Sequence, residues 1–255
     1  MKRIILPLFA LFFTLSSYSQ YRVFYFVDAL KGKKSTVKKL LTNEVKKANQ
    51  VRIDKGVLKG YDIWEIIAVG GDGETDFIVV ELYDQLENYH KHRGVTRNAE
   101  LSKEESSRFW ETWHSSTSGN GHSVILKVES FESKTNELPK MAKFNMYQTV
   151  SGEMRNKWIE SHKKFSKQFI NGKRDAWGSA SVIMKPFNVK YNHITVDFYD
   201  NENLASFLLD NENRPGISDE MRDYWKKEDG TMPKWNIEVR KQVNGLITKN
   251  ILQLK

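Results

Sequence analysis

Short apolar runs alternate with longer amphipathic stretches from about residue 21 onward. Arg22–Val27 is an apolar run of strand length. Val37, Leu40, Leu41, Val45 and Ala48 share one helical stripe. Leu58–Ile67 and Asp76–Tyr83 read as strands, with a turn signal at Gly70-Gly-Asp-Gly73 between them. Ser102–Trp113 reads as a helix, with Ser102 and Glu105 spaced as a capping box. His122–Phe131 closes the series as a strand.

The same order of elements then recurs. Lys143–Val150 reads as a strand, and Met154, Trp158, Phe165 and Phe169 mark a helix. Trp177–Met184 and Tyr191–Tyr199 read as strands, and Ser218–Trp225 as a helix capped by Ser218. Trp235–Val243 alternates and reads as the final strand, while Gly245–Lys255 has no assignment. The recurrence reaches the residues themselves. Phe-Ile-Val-Val-Glu-Leu-Tyr-Asp at 77–84 and His-Ile-Thr-Val-Asp-Phe-Tyr-Asp at 193–200 lie 116 apart and share four of eight positions. Phe24-Tyr-Phe26 aligns with Phe144-Asn-Met146, and strands carrying Trp64 and Trp177 follow the first helix of each half. A duplication is the reading, with repeats over 21–134 and 141–255. A polar linker at about 132–140 contains Pro139.

Each half runs β-α-β-β-α-β, the order of a ferredoxin-like unit, whose helices cover one sheet face only. The bare faces of two such units can cover each other. The predicted fold is therefore α+β: two tandem ferredoxin-like repeats packed sheet to sheet. That arrangement resembles the dimeric α/β-barrel superfamily, whose members pair such units as dimers or as tandem repeats. The superfamily includes cofactor-free monooxygenases, stress-response barrels, NIPSNAP-type proteins and the haem-binding chlorite dismutase group. The resemblance covers nearly the whole chain after residue 20, but it is one of element order. No family motif maps residue by residue, so no functional residue is carried over.

Composition narrows the chemistry. The chain has no cysteine, which excludes thiol nucleophiles, thiolate metal sites and disulfides. Met1-Lys2-Arg3, the apolar run Ile4–Leu15 and small residues at Ser17 and Ser19 predict a cleaved secretory signal over residues 1–19, and hence a periplasmic or secreted protein. The apolar run is shorter than the roughly 20 residues that span a bilayer, so no membrane span is expected. Loss of Lys2 and Arg3 would lower the formal charge from +8 to +6. The basic excess is concentrated between Lys31 and Lys59, where Glu44 and Asp54 are the acids. That stretch is a solvated helix face or a docking face for an anionic polysaccharide or lipid surface. Nucleic acid is not an expected partner of an exported chain. A monomer or a homodimer fits equally.

Candidate chemistry gathers on the paired strands. Side chains alternate along a strand, so Ile78, Val80 and Leu82 share one face and Val79, Glu81 and Tyr83 the other. In the second half, Ile194, Val196 and Phe198 oppose Thr195, Asp197 and Tyr199. The expectation is that the apolar faces lie under the helices and the mixed faces point between the two sheets. Glu81 and Asp197 are then candidate general bases, and Tyr83, Tyr199, Trp64 and Trp177 candidate ligand contacts around a shared cavity. The rival reading places both carboxylates on an exposed face with lysine partners. Asp72, Glu74 and Asp76 lack the spacing of a calcium loop. The six histidines lack metal-site spacing. Gly70–Gly73 lacks the third glycine of a dinucleotide fingerprint. No metal and no cofactor are expected. The function classes that remain are a binder of a small, partly apolar ligand, a cofactor-free oxygenase or isomerase, and an interaction protein for an anionic surface.

Overall fold

The computed structural model describes residues 20–70, 75–91, 93–135, 137, 139–170, 174–200 and 218–255. The signal segment, the turn with Asp72 and Glu74, and His92 lie outside the described residues.

Eight strands close into one antiparallel barrel: β1 (Tyr21–Val27), β2 (Gly60–Gly70), β3 (Phe77–Tyr83), β4 (His122–Ser133), β5 (Met141–Thr149), β6 (Ala176–Met184), β7 (His193–Tyr199) and β8 (Arg240–Leu254). The order around the barrel is β1-β3-β2-β8-β5-β7-β6-β4. Each half thus supplies four neighbouring strands in the order fourth, first, third, second. The seams are β2 with β8 and β4 with β6, both antiparallel. Registers match between the halves. Phe24 faces Val80 across β1 and β3, and Phe144 faces Val196 across β5 and β7.

Helices lie outside the barrel. On the first half, α1 (Lys34–Leu40) runs through a π-helical turn (Leu41–Val45) into α2 (Lys46–Asp54), and α3 (Val95–Asn98) and α4 (Lys103–His114) complete the cover. The Ser102–Glu105 capping box opens α4 as its spacing predicts. On the second half sit α5 (Gly152–Lys164) and α6 (Asp219–Trp225), each opened by a serine cap, Ser151 and Ser218. Among the described residues, no helix is long and apolar enough to cross a membrane.

The barrel interior holds the largest core cluster, with Phe24, Trp64, Ile78, Val80, Phe144 and Phe198 among its side chains. This corrects the predicted facing. The all-apolar face of β3 points into the barrel, while Val79, Glu81 and Tyr83 point out toward the helices. A closed barrel shuts much of its interior from water, so that interior is mainly apolar. The helix-covered face is less tightly shut and accommodates paired charges. The interior is filled as well. The void bounded by Phe24, Phe131, Ala180 and Ile194 is about 10 Å³, about the space of one water. No ligand-sized space lies between the sheets there.

The last strand is also corrected. Trp235–Val239 forms a π-helical turn, and the strand is Arg240–Leu254. Thr248, Lys249 and Asn250 break the apolar alternation that marks a strand. Here they sit in the middle of one. Thr248 is fully buried and its hydroxyl donates to the Ala142 carbonyl at 3.1 Å.

Candidate functional site

The outer face of the first half is where the cover leaves room. A cavity of about 520 Å³ lies between β1, β3 and the start of β4 on one side and the π-helical turn, α2, α3 and α4 on the other. Its apolar wall includes Leu41, Val45, Ala48, Val79, Phe109 and Trp113. Leu41 and Val45 lie on the π-helical turn, whose wider winding shifts the stripe locally. Gly94, at φ 112°, turns the chain into α3 and brings Arg93 to the rim. Gly121 has no Cβ because one would stand 2.6 Å from the Phe26 carbonyl oxygen.

The polar end is built around Glu81, which is 6% exposed. Arg52, 5% exposed and reaching down from α2, pairs with Glu81 Oε1 at 2.5 Å. The same nitrogen donates to Asn49 Oδ1 at 2.8 Å, and the other terminal nitrogen donates to the Tyr83 hydroxyl at 2.6 Å. Tyr83 donates to Glu81 Oε2, and so does Tyr25 from β1, at 3.0 Å. Burial, then the Glu81 charge, raises the Tyr25 hydroxyl far above the usual tyrosine range, and the same two causes raise Tyr83. Both therefore stay protonated donors at neutral pH. Burial disfavours the Arg52 cation, but Glu81 and Tyr83 outweigh it and hold Arg52 charged. Of this cluster, Tyr25, Asn49, Arg52 and Glu81 line the cavity.

The other sequence candidates lie elsewhere. Tyr83 packs with Val23, Leu58 and Ile125 behind Glu81. Trp64 is inside the barrel against Phe144 and Phe198, with ring centroids 5.8 Å from each. Trp177 lies outside the barrel, stacked on Phe169 at 4.2 Å. Trp64 pairs with Ile78 and Trp177 with Asp197, so the two tryptophans occupy different register positions and opposite faces. Tyr199 packs with Met141 and Ile247. Asp197 is buried, with Arg174 at 3.3 Å and Asn145 donating at 3.0 Å. Both carboxylates are thus buried with arginine partners, not exposed with lysines.

Among the described residues, aromatic side chains crowd the space under the second half's helices. Tyr147, Trp158, Phe165, Met221 and Trp225 pack there. His162 and His193 meet through the Ser179 hydroxyl at 2.8 and 2.9 Å. Burial lowers both imidazoles, His193 to about 3, so they sit neutral in this packing. Among the described residues, no three His, Asp or Glu side chains converge as a metal site.

Neither a protein-family model nor a curated protein sequence matches the chain. Solved structures are similar to it. A candidate monooxygenase from Fusobacterium nucleatum is 14% identical, with a TM-score of 0.52 over 91% of this chain and 92% of that one. An anthrone oxidase-like protein is 9% identical, with a TM-score of 0.54 and 92% of each chain covered. A candidate monooxygenase from Lactobacillus acidophilus is 10% identical, at 0.50, covering 92% of this chain and 95% of that one. At such identities the likeness is one of fold. The chain has the dimeric α/β-barrel fold.

Proposed function

We propose that this chain is an exported protein that holds a small, partly apolar ligand in the cavity under the helices of its first half. The observation that carries the reading is the 520 Å³ cavity itself, apolar along its wall and closed at one end by the Arg52–Glu81–Tyr25 cluster. A pocket of that size with a few convergent polar groups suits a small organic molecule. The matching sheet order and registers of the two halves support tandem ferredoxin-like repeats over 21–134 and 141–255. In that reading one repeat keeps a cavity and the other has filled it with aromatic side chains. Export rests on the signal-like residues 1–19.

Calorimetric titration with 2-naphthol tests the proposal. Ala48 is buried on the cavity wall, so Ala48→Phe fills the space. Binding to the wild-type protein and its loss in folded Ala48→Phe is the expected result. Equal binding by both proteins places the probe elsewhere and overturns the proposal.

A second reading has its own observation. Glu81 is enclosed beside the cavity, with the Tyr25 hydroxyl bonded to it. A cofactor-free oxygenase would use that pair as a relay: substrate gives a proton to the Tyr25 oxygen as Tyr25 gives its own to Glu81. Oxygen uptake with anthrone as substrate, abolished in Tyr25→Phe, is the expected result of this reading. Uptake no faster than in buffer rejects it. The anionic-surface reading rests on Lys31, Lys33, Lys39, Lys46, Lys47 and Lys55, all exposed, whereas Lys34 and Lys38 pair with Glu65.

A further inference from the structure

The cavity has two charged poles whose needs the protein leaves unmet. At the rim, Arg93 stacks on the Tyr89 ring at 4.3 Å. One terminal nitrogen donates to the Tyr89 hydroxyl at 3.1 Å and to Tyr25 at 3.4 Å. A guanidinium has five N–H donors, so most of this fork faces outward unused. No carboxylate pairs with Arg93 among the described residues. Stacking holds the fork in place, which lowers the entropy lost when it grips an anion.

The other pole is Asp28, just past the end of β1 and 9% exposed. Its Oδ1 accepts no hydrogen bond. Among the described residues its Oδ2 accepts from the Ser118 hydroxyl alone, at a long 3.5 Å. No lysine or arginine pairs with it among the described residues. A buried carboxylate short of donors is costly, and this one borders a cavity. Donors therefore have to come from what fills that cavity. Arg93 and Asp28 both line the cavity. Apolar and aromatic wall lies between the poles.

We infer that the ligand is a bipolar aromatic acid, with an anionic group at Arg93 and a hydroxyl or other hydrogen-bond donor at Asp28. The inference rests on the cavity reading above and fixes the ligand's chemistry and orientation. The Asp28 charge repels the acid end, so the molecule enters one way round. A fused two-ring aromatic body is small enough for a cavity of about 520 Å³.

Three probes separate the poles: 6-hydroxy-2-naphthoate carries both groups, 2-naphthoate the acid alone and 2-naphthol the hydroxyl alone. On the full-length protein, 6-hydroxy-2-naphthoate binds about tenfold tighter than either single-group probe, the scale of one charge-assisted hydrogen bond. Arg93→Gln removes its advantage over 2-naphthol and keeps its advantage over 2-naphthoate. Asp28→Leu, which has no acceptor, does the reverse. Equal affinities of the three probes, or advantages that survive both substitutions, overturn the inference while leaving the cavity reading in place. If none of the probes binds wild-type protein, the cavity reading falls and this inference with it. The probe ranking on wild-type protein tests the inference even where a variant does not fold.

Discussion

Asp62 shows what a buried charge costs at the level of one residue. It is 6% exposed and shares the inward face of β2 with Trp64. Burial pushes its carboxyl up to about 7, with Arg22 and Lys255 pulling the other way. The folded state keeps the proton up to about 7, whereas the unfolded chain releases it near 3.8. Between those values the folded state binds more protons, so this group makes stability fall as pH rises. Asp62→Asn removes the dependence. Urea unfolding is expected to find the variant close to wild type at pH 4 and more stable by roughly 2–4 kcal/mol at pH 8. A difference that does not change with pH would reject this account. Arg52 is the converse case, a buried charge whose two terminal nitrogens are partnered by Glu81, Asn49 and Tyr83. Counted with the lysines around it, Arg52 reads as part of a solvated face. Its spacing says otherwise, because Leu41, Val45, Ala48 and Arg52 follow one helical stripe. An arginine on the apolar stripe was the legible signal for a partner such as Glu81. Asp28, Tyr25 and Arg93 gave no such signal, because each becomes a site residue only through contacts made in the fold.

At the level of elements, most boundaries were legible because strands and helices impose different periods. The capping box of α4 shows how local the information can be. The Glu105 amide donates to Ser102 Oγ at 3.2 Å, and the Ser102 amide to Glu105 Oε2 at 2.8 Å. Ser102→Ala is expected to cost about 1 kcal/mol in urea unfolding and Ser102→Asp to restore most of it. Unchanged stability in Ser102→Ala would mean the box contributes nothing. The helix matters to the site because Phe109, Trp110 and Trp113 line the cavity from it. What alternation does not reveal is which strand face turns inward. Both faces of β3 are almost wholly buried, so polarity alone suggested the wrong side. β8 was missed for a related reason. Its polar stretch becomes strand only because β2 and β5 hydrogen-bond to it from both sides.

At the level of the whole molecule, closure of the barrel decides where a ligand fits. Two four-stranded sheets that meet at both seams leave a packed interior around Phe24, Trp64 and Phe144, and the 520 Å³ cavity lies outside, under the first half's helices. The halves then differ. One has a π-helical turn and a cavity, and the other an aromatic plug with two neutral histidines. The central claim is that the ligand site lies under the first half's helices and not between the sheets. The protein's seven tryptophans report on this directly. In fluorine NMR of protein labelled with 5-fluorotryptophan, addition of 2-naphthol is expected to shift the Trp110 and Trp113 signals. Trp64 inside the barrel and Trp177 outside the second half should stay in place. Movement of Trp64 with Trp110 and Trp113 unmoved would put the ligand between the sheets and contradict the account.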